Sequence, residues 1–155
     1  MQKITRRQWL IRVGGAALAP AVFSSCRPDI SRDVESVGSR LASAYVPVKP
    51  NGCVACDNCM PCPYGIDIPS NLIFVDRAAE ESYLPGDLDD PDFAQKGTKF
   101  LSRYEDAIPD AAQTQRCIAC GECLGTCPVG IDIPRQMSVI TSLTDILRDL
   151  RCQQL

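Results

Sequence analysis

Eight cysteines in two short runs constrain this chain more than any other feature. The first run is Cys-x2-Cys-x2-Cys-x2-Cys-Pro over residues 53–63, and the second is Cys-x2-Cys-x2-Cys-x3-Cys-Pro over residues 117–128. The 155 residues include only one Trp, four Tyr and four Phe, so the hydrophobic core must be aliphatic and modest. Small domains with a thin core need covalent or metal staples. The two runs therefore predict a fold organised around bound metal or around disulfides.

The spacing of the cysteines favours iron–sulfur clusters. Three cysteines at every third position let one tight loop bind three corners of a cubane, and the second run matches the bacterial ferredoxin run residue for residue. The chain has no histidine, which excludes His-ligated zinc, His-ligated haem and Rieske centres. We predict two [4Fe–4S] clusters as the cofactors. Zinc held by thiolates and a set of disulfides are the alternatives.

The fourth cysteine of each run lies beyond the tight loop. In two-cluster ferredoxins this cysteine ligates the other cluster, which makes the two clusters close neighbours. By that rule the predicted ligands of cluster 1 are Cys53, Cys56, Cys59 and Cys127. The predicted ligands of cluster 2 are Cys117, Cys120, Cys123 and Cys62. The short spacing before Cys62 is the one departure from the ferredoxin run.

Both runs belong to an internal repeat. The word Cys-Pro-x-Gly-Ile-Asp-Ile-Pro occurs at residues 62–69 and again at 127–134, which predicts two similar units related by a pseudo-twofold axis. Apolar residues at helical spacing follow Pro69 and Pro134, and a third such pattern lies between Pro91 and Pro109. No segment alternates as a strand would. The predicted fold class is mostly α, with two cluster-binding loops.

Other residues of the repeat have predicted structural roles. Gly65 and Gly130 should form turns that an L-residue would resist. Asp67 and Asp132 should be turn or cap residues rather than catalysts. No acid–base pair, triad or phosphate-binding loop can be assembled, so no catalytic residue is predicted. Cys152 lies outside both runs and is predicted to be a surface thiol on the last helix.

The N-terminal segment has the features of an export signal. Residues 5–11 (TRRQWLI) look like a twin-arginine signal with Arg6 and Arg7 as the pair, and residues 23–26 (FSSC) resemble a lipoprotein cleavage box ending at Cys26. The predicted organisation is a signal peptide at 1–25, a tether at 26–50 and a dicluster domain at 51–155. It predicts a periplasmic or cell-surface lipoprotein, lipidated on Cys26 and anchored to the membrane. An uncleaved amphipathic helix is the alternative.

The net charge of the chain indicates which kinds of partner it can bind. Without residues 1–25, 12 basic and 19 acidic residues remain, a net charge of −7. Such a chain repels nucleic acid. Its redox partners are expected to present a basic patch.

Residues 51–150 resemble the C-terminal iron–sulfur module of some bacterial aldo-keto reductase-like proteins. The segments CMPCPYGIDIP (59–69) and RCIACGECLGTCP (116–128) are close to that module's pattern, and the short third spacing occurs there too. The resemblance implies an alpha-helical ferredoxin-like fold. Those proteins also carry a catalytic barrel upstream, which needs about 250 residues. Reductase activity is therefore not carried over to this chain.

These observations predict electron transfer through two [4Fe–4S] clusters. The chain would act as a carrier or as the electron-transfer subunit of an oxidoreductase, with no catalysis of its own. A second hypothesis is the detached module of a split aldo-keto reductase-like enzyme. A third is a domain in which the clusters are only structural staples.

Overall fold

The structure, a computed structural model, describes residues 45–153. The predicted signal peptide, Cys26 and most of the predicted tether lie outside these residues, so the division into signal, tether and domain stays a prediction. Within 45–153 the chain forms helices and no strand, which confirms the predicted mostly α fold. The elements are α1 (Ile68–Glu80), α2 (Phe93–Ala107), two 3₁₀ helices (Asp110–Ala112 and Thr114–Arg116) and α3 (Ile133–Gln153).

Helices α1 and α3 begin at equivalent positions of the repeat. The Asp67 carboxylate accepts the backbone N–H of Ser70 at 3.1 Å, and the Asp132 carboxylate accepts the backbone N–H of Arg135 at 3.2 Å. These bonds satisfy N–H groups that the first helical turn leaves without a partner. A proline in that turn loses nothing, because its missing N–H would have no helical acceptor. The predicted capping role of both aspartates is confirmed.

Helices α2 and α3 approach each other closely at a glycine. A Cβ atom at Gly97 would overlap the side chain of Leu147, and both residues are buried. Glycine is a poor helix former, so its place inside α2 is explained by this contact. The close approach lets α2 and α3 bury their apolar stripes against each other.

An aromatic cluster joins α1 to α2 inside the core, so the prediction of an aliphatic core is wrong in this part. The ring of Phe74 on α1 lies edge-on to Phe100 and Tyr104 on α2, with centroid distances of 5.2 and 5.3 Å. Such pairs add about 0.5–1.5 kcal/mol beyond the area they bury. Six of the eight motif cysteines pack against this core while remaining partly exposed, namely Cys53, Cys59, Cys62, Cys117, Cys123 and Cys127. Both cysteine loops therefore pack against the same hydrophobic core.

A buried polar cluster connects the two halves of the repeat. The Tyr104 hydroxyl donates to Asn71 Oδ1 at 2.5 Å, and the backbone N–H of Thr114 donates to the Tyr104 hydroxyl at 3.4 Å. The Asn71 side chain also donates to the carbonyl of Ala112 at 2.9 Å. All of Asn71, Tyr104 and Thr114 are 0 % exposed. Because Thr114 lies just before the second cysteine loop and Asn71 just after the first, this cluster sets how the two loops sit relative to each other.

The chain before the first cysteine also contacts the domain. The Tyr45 hydroxyl donates to the carbonyl of Gly86 at 3.0 Å, its ring packs on Phe93, and Val48 is buried in the core. These two residues belong to the end of the predicted tether. Of the helices formed between residues 45 and 153, none has the length and apolar character that crossing a bilayer requires.

Candidate metal centre

The two cysteine loops share a left-handed residue at the same position. Ala55 and Ala119, two residues after the first cysteine of each motif, have positive φ angles of 52° and 55°. A left-handed residue that is not glycine costs about 1–2 kcal/mol. Such strain persists where surrounding structure enforces it, and it clusters at functional sites. The repeat in the sequence is therefore matched by a repeat in backbone geometry.

The turns within and after each loop are also shared. The backbone N–H of Met60 donates to the carbonyl of Asp57 at 2.9 Å, and the N–H of Leu124 donates to that of Gly121 at 2.9 Å. After the fourth cysteine, Gly65 and Gly130 have φ angles of 77° and 72°, which confirms the predicted turns. Each glycine donates its N–H to the backbone carbonyl of the fourth cysteine of its own motif, at 3.0 and 3.1 Å.

The extra residue of the second motif falls between Cys123 and Cys127. Gly125, with a φ angle of 76°, lies in this stretch. In the first motif the same stretch contains Pro61, which follows a cis peptide bond. The two spacings therefore reach the same Cys-Pro corner by different local routes.

Three cysteines of the first motif and the fourth of the second line one small cavity. Cys53, Cys56, Cys59 and Cys127 share its wall with the apolar side chains of Leu72, Val129, Ile131 and Ile133. Burial raises the pKa of the Cys59 thiol, and its own backbone N–H opposes this effect to a lesser degree. The negative charges of Cys53, Cys56 and Cys123 raise the pKa further. These thiols are close enough to repel one another when ionised, so a bound cationic group would stabilise them.

The second group of cysteines has a matching arrangement. Burial raises the pKa of the Cys123 thiol, its backbone N–H opposes this, and the charges of Cys117, Cys120 and Cys62 raise it further. Cys62 of the first motif therefore lies close to the second group. The charge of Cys123 also raises the pKa of the Cys59 thiol, and Cys127 lines the cavity of the first group, so the two groups are neighbours. The ligand set of each individual cluster stays a prediction that this arrangement supports.

All eight motif cysteines are free thiols, so the alternative that they pair as disulfides is wrong. Between residues 45 and 153, no group of three or more Cys, Asp or Glu converges tightly enough to hold a single metal ion. A cubane differs from a single ion because each of its thiolates binds a separate iron. Sulfur-only donors in two loops of this kind fit the requirements of [4Fe–4S] clusters.

Cys152 lies outside both motifs. It is on the last helix, as predicted, and is partly buried near the end of α3.

Fold and site together define a helical protein with two thiolate-rich cluster loops. Residues 52–131, just over half of the chain, match the family model of the 4Fe-4S dicluster domain, and the chain belongs to this family. Its cysteines at 53–62 and 117–127 hold two [4Fe–4S] clusters. No curated protein and no solved structure matches the chain.

Two features of the site were not found from the sequence. The carboxylate of Asp76 on α1 accepts the backbone N–H of Asn51 at 2.6 Å and that of Cys53 at 3.0 Å. No local pattern singles out Asp76, because it lies 23 residues from the cysteine it contacts.

The second feature is a set of exposed apolar side chains around the cysteines. They occupy equivalent positions in the two motifs, as the pairs Val54 and Ile118, Met60 and Leu124, and Tyr64 and Val129. We call these six residues the apolar collar. Alignment of the two motifs could have revealed them, since apolar residues recur at the same offsets from the cysteines.

Proposed function

We propose that this protein transfers electrons between other proteins through its two [4Fe–4S] clusters, as a carrier or as the electron-transfer subunit of an oxidoreductase. The observation that carries the proposal is the adjacency of the two cysteine groups. Cys127 of the second motif lines the cavity of the first three cysteines, and cysteines of both motifs pack against one helical core. A structural staple alone would need only one cluster in so small a core. When bound, each cluster supplies a site that accepts and releases one electron.

Reduction of the anaerobically purified protein tests this function. We expect the visible absorption to bleach with dithionite and the reduced protein to give two spin-coupled EPR signals. Clusters that cannot be reduced at any accessible potential would support the structural role instead.

We propose that the fourth cysteines cross between the clusters, as the predicted ligand sets require. Cys127 lines the cavity of the first three cysteines, and the charge of Cys62 raises the pKa of the Cys123 thiol. Under crossing, the double variant Cys62→Ala with Cys117→Ala damages one cluster and keeps about half of the iron. The matched double variant Cys62→Ala with Cys56→Ala damages both. Iron and sulfide analysis that gave the opposite order would refute crossing.

We propose that the apolar collar is where a redox partner docks. Val54 and Ile118 expose 59 % and 60 % of their surface, and the neighbouring Asp57 and Glu122 are exposed. A patch of exposed apolar side chains marks an interaction site, and acidic neighbours favour a partner with basic side chains around an apolar centre. The partner class is therefore a redox protein or an oxidoreductase subunit with a basic docking face.

Electron transfer to a basic cytochrome c tests the docking surface. We expect the rate to fall with ionic strength and to fall about tenfold in Val54→Ser with Ile118→Ser, at unchanged reduction potentials. The matched control is Val46→Ser, which alters an equally exposed valine (51 %) outside both motifs. An equal loss in the control, or no dependence on salt, would contradict the proposal.

The resemblance to the aldo-keto reductase-like module suggests a more specific partner. We propose that a barrel oxidoreductase on a separate chain is one candidate recipient of the electrons. Affinity purification of the cluster-loaded protein tests this idea. Recovery of an oxidoreductase without a barrel domain would argue against it.

We also propose export by the twin-arginine route and lipidation at Cys26. A cubane is assembled in a reducing compartment, and the twin-arginine route carries folded cargo. Incorporation of labelled palmitate should be lost in Cys26→Ala. The mass of the mature protein is a second test, and a mature chain that lacks the added mass of a lipid would refute lipidation.

A further inference from the structure

The backbone N–H of the first cysteine has a different hydrogen-bond acceptor in each of the two motifs. The backbone N–H of Cys53 donates to the carboxylate of Asp76 at 3.0 Å and to the amide oxygen of Asn51 at 3.2 Å. The backbone N–H of Cys117 donates to the carbonyl of Thr114 at 2.9 Å. Neither N–H is left for a cluster sulfur, so the two sites differ in the charge of the acceptor.

The helices that follow the two loops have different residues at one equivalent position of the repeat. Helices α1 and α3 begin at Ile68 and Ile133, and Thr141 occupies on α3 the position that Asp76 occupies on α1. The Thr141 hydroxyl donates to the Thr114 hydroxyl at 2.9 Å. Each residue thus secures the segment just before the first cysteine of its motif. The side chain that makes this contact is an anionic carboxylate in the first unit and a neutral hydroxyl in the second.

Asp76 forms no ion pair with a basic side chain among residues 45–153, and the residue is partly buried. Charges in such positions are screened less than charges in open solvent. Adding an electron makes a cluster more negative, so a fixed carboxylate beside it opposes reduction.

We infer that Asp76 separates the reduction potentials of the two clusters, making the cluster held by Cys53, Cys56 and Cys59 the harder one to reduce. This inference rests on the proposed electron-transfer function and adds a direction to it. An electron delivered to the first cluster passes to the second with a favourable free energy, because the second cluster has the higher reduction potential. The first cluster is reoxidised as the second is reduced. Asp76 acts through the Cys53 backbone and is a positioning and tuning residue.

A redox titration of the cluster-loaded protein, followed by EPR, tests the inference. Asp76→Asn keeps the shape of the side chain and one acceptor for the N–H while removing the charge. We expect it to make the lower of the two potentials more positive by about tenfold in the reduction equilibrium, or about 59 mV for one electron. The higher potential should stay in place. The control Asp149→Asn removes the same charge from an exposed position on α3 and should move neither potential.

The converse variant keeps the test decisive if Asp76→Asn binds iron poorly. Thr141→Asp places a carboxylate at the equivalent position of the second unit and should lower the higher potential. The inference is overturned if Asp76→Asn moves both potentials equally or no further than Asp149→Asn, or if Thr141→Asp leaves the higher potential unchanged. A wild-type protein in which neither cluster can be reduced would instead refute the proposed function.

Discussion

Replacement of Tyr104 by Phe should weaken the connection between the two halves of the repeat. The change removes a hydroxyl that donates to Asn71 Oδ1 at 2.5 Å and accepts the N–H of Thr114 at 3.4 Å. Water cannot replace it, because all three residues are 0 % exposed. A typical hydrogen bond contributes about 1 kcal/mol, and a buried polar group left without a partner costs about 1–3 kcal/mol. We expect a loss of about 2–3 kcal/mol in the free energy of opening.

Amide hydrogen exchange of the cluster-loaded protein under anaerobic conditions measures this loss without removing the iron. A loss of 2–3 kcal/mol corresponds to an about 30- to 150-fold faster exchange of the slowest amides in α1 and α2. The control Tyr64→Phe makes the same chemical change on a side chain that is 40 % exposed and should alter exchange by about twofold or less. Acceleration below about threefold in Tyr104→Phe would refute the role given to the buried polar cluster.

Three further perturbations follow from the packing and the charges. Gly97→Ala should cost about 1–3 kcal/mol, because the Cβ of the alanine would overlap Leu147. The control in thermal melts is Gln95→Ala at an exposed site of α2, and a Gly97→Ala variant that melts no lower than this control would contradict the contact. Burial alone would raise the pKa of Glu105, but Arg151 and Arg148 hold it below the usual value. Glu105→Gln should therefore lower the free energy of unfolding by about 1 kcal/mol at neutral pH. This difference from the wild type should vanish as the pH falls through the lowered pKa, and a difference that does not change with pH would contradict the ion pairs' role. Removal of the iron by a chelator should expose the amides of residues 53–62 and 117–127 to exchange before those of α2, and simultaneous exposure would contradict this order.

The sequence alone determined the local features of this protein. The helix starts at Asp67 and Asp132, the turns at Gly65 and Gly130 and the three helices depend on residues only a few positions apart, so pattern and propensity were sufficient to predict them. The two groups of four cysteines could also be predicted from the sequence, because the spacing of ligands within one loop limits what the loop can bind. The two [4Fe–4S] clusters follow from these local constraints.

The tertiary structure decided the contacts outside the cysteine motifs that join distant parts of the chain. Asp76 meets Cys53 across 23 residues, and Tyr104 meets Asn71 across 33. Gly97 meets Leu147 only because α2 and α3 pack side by side. No short-range pattern encodes such contacts, since they arise when helices bury their apolar faces against one another. The sequence therefore specifies which residues can hold the clusters, whereas the packing of the helices decides which charges surround each cluster.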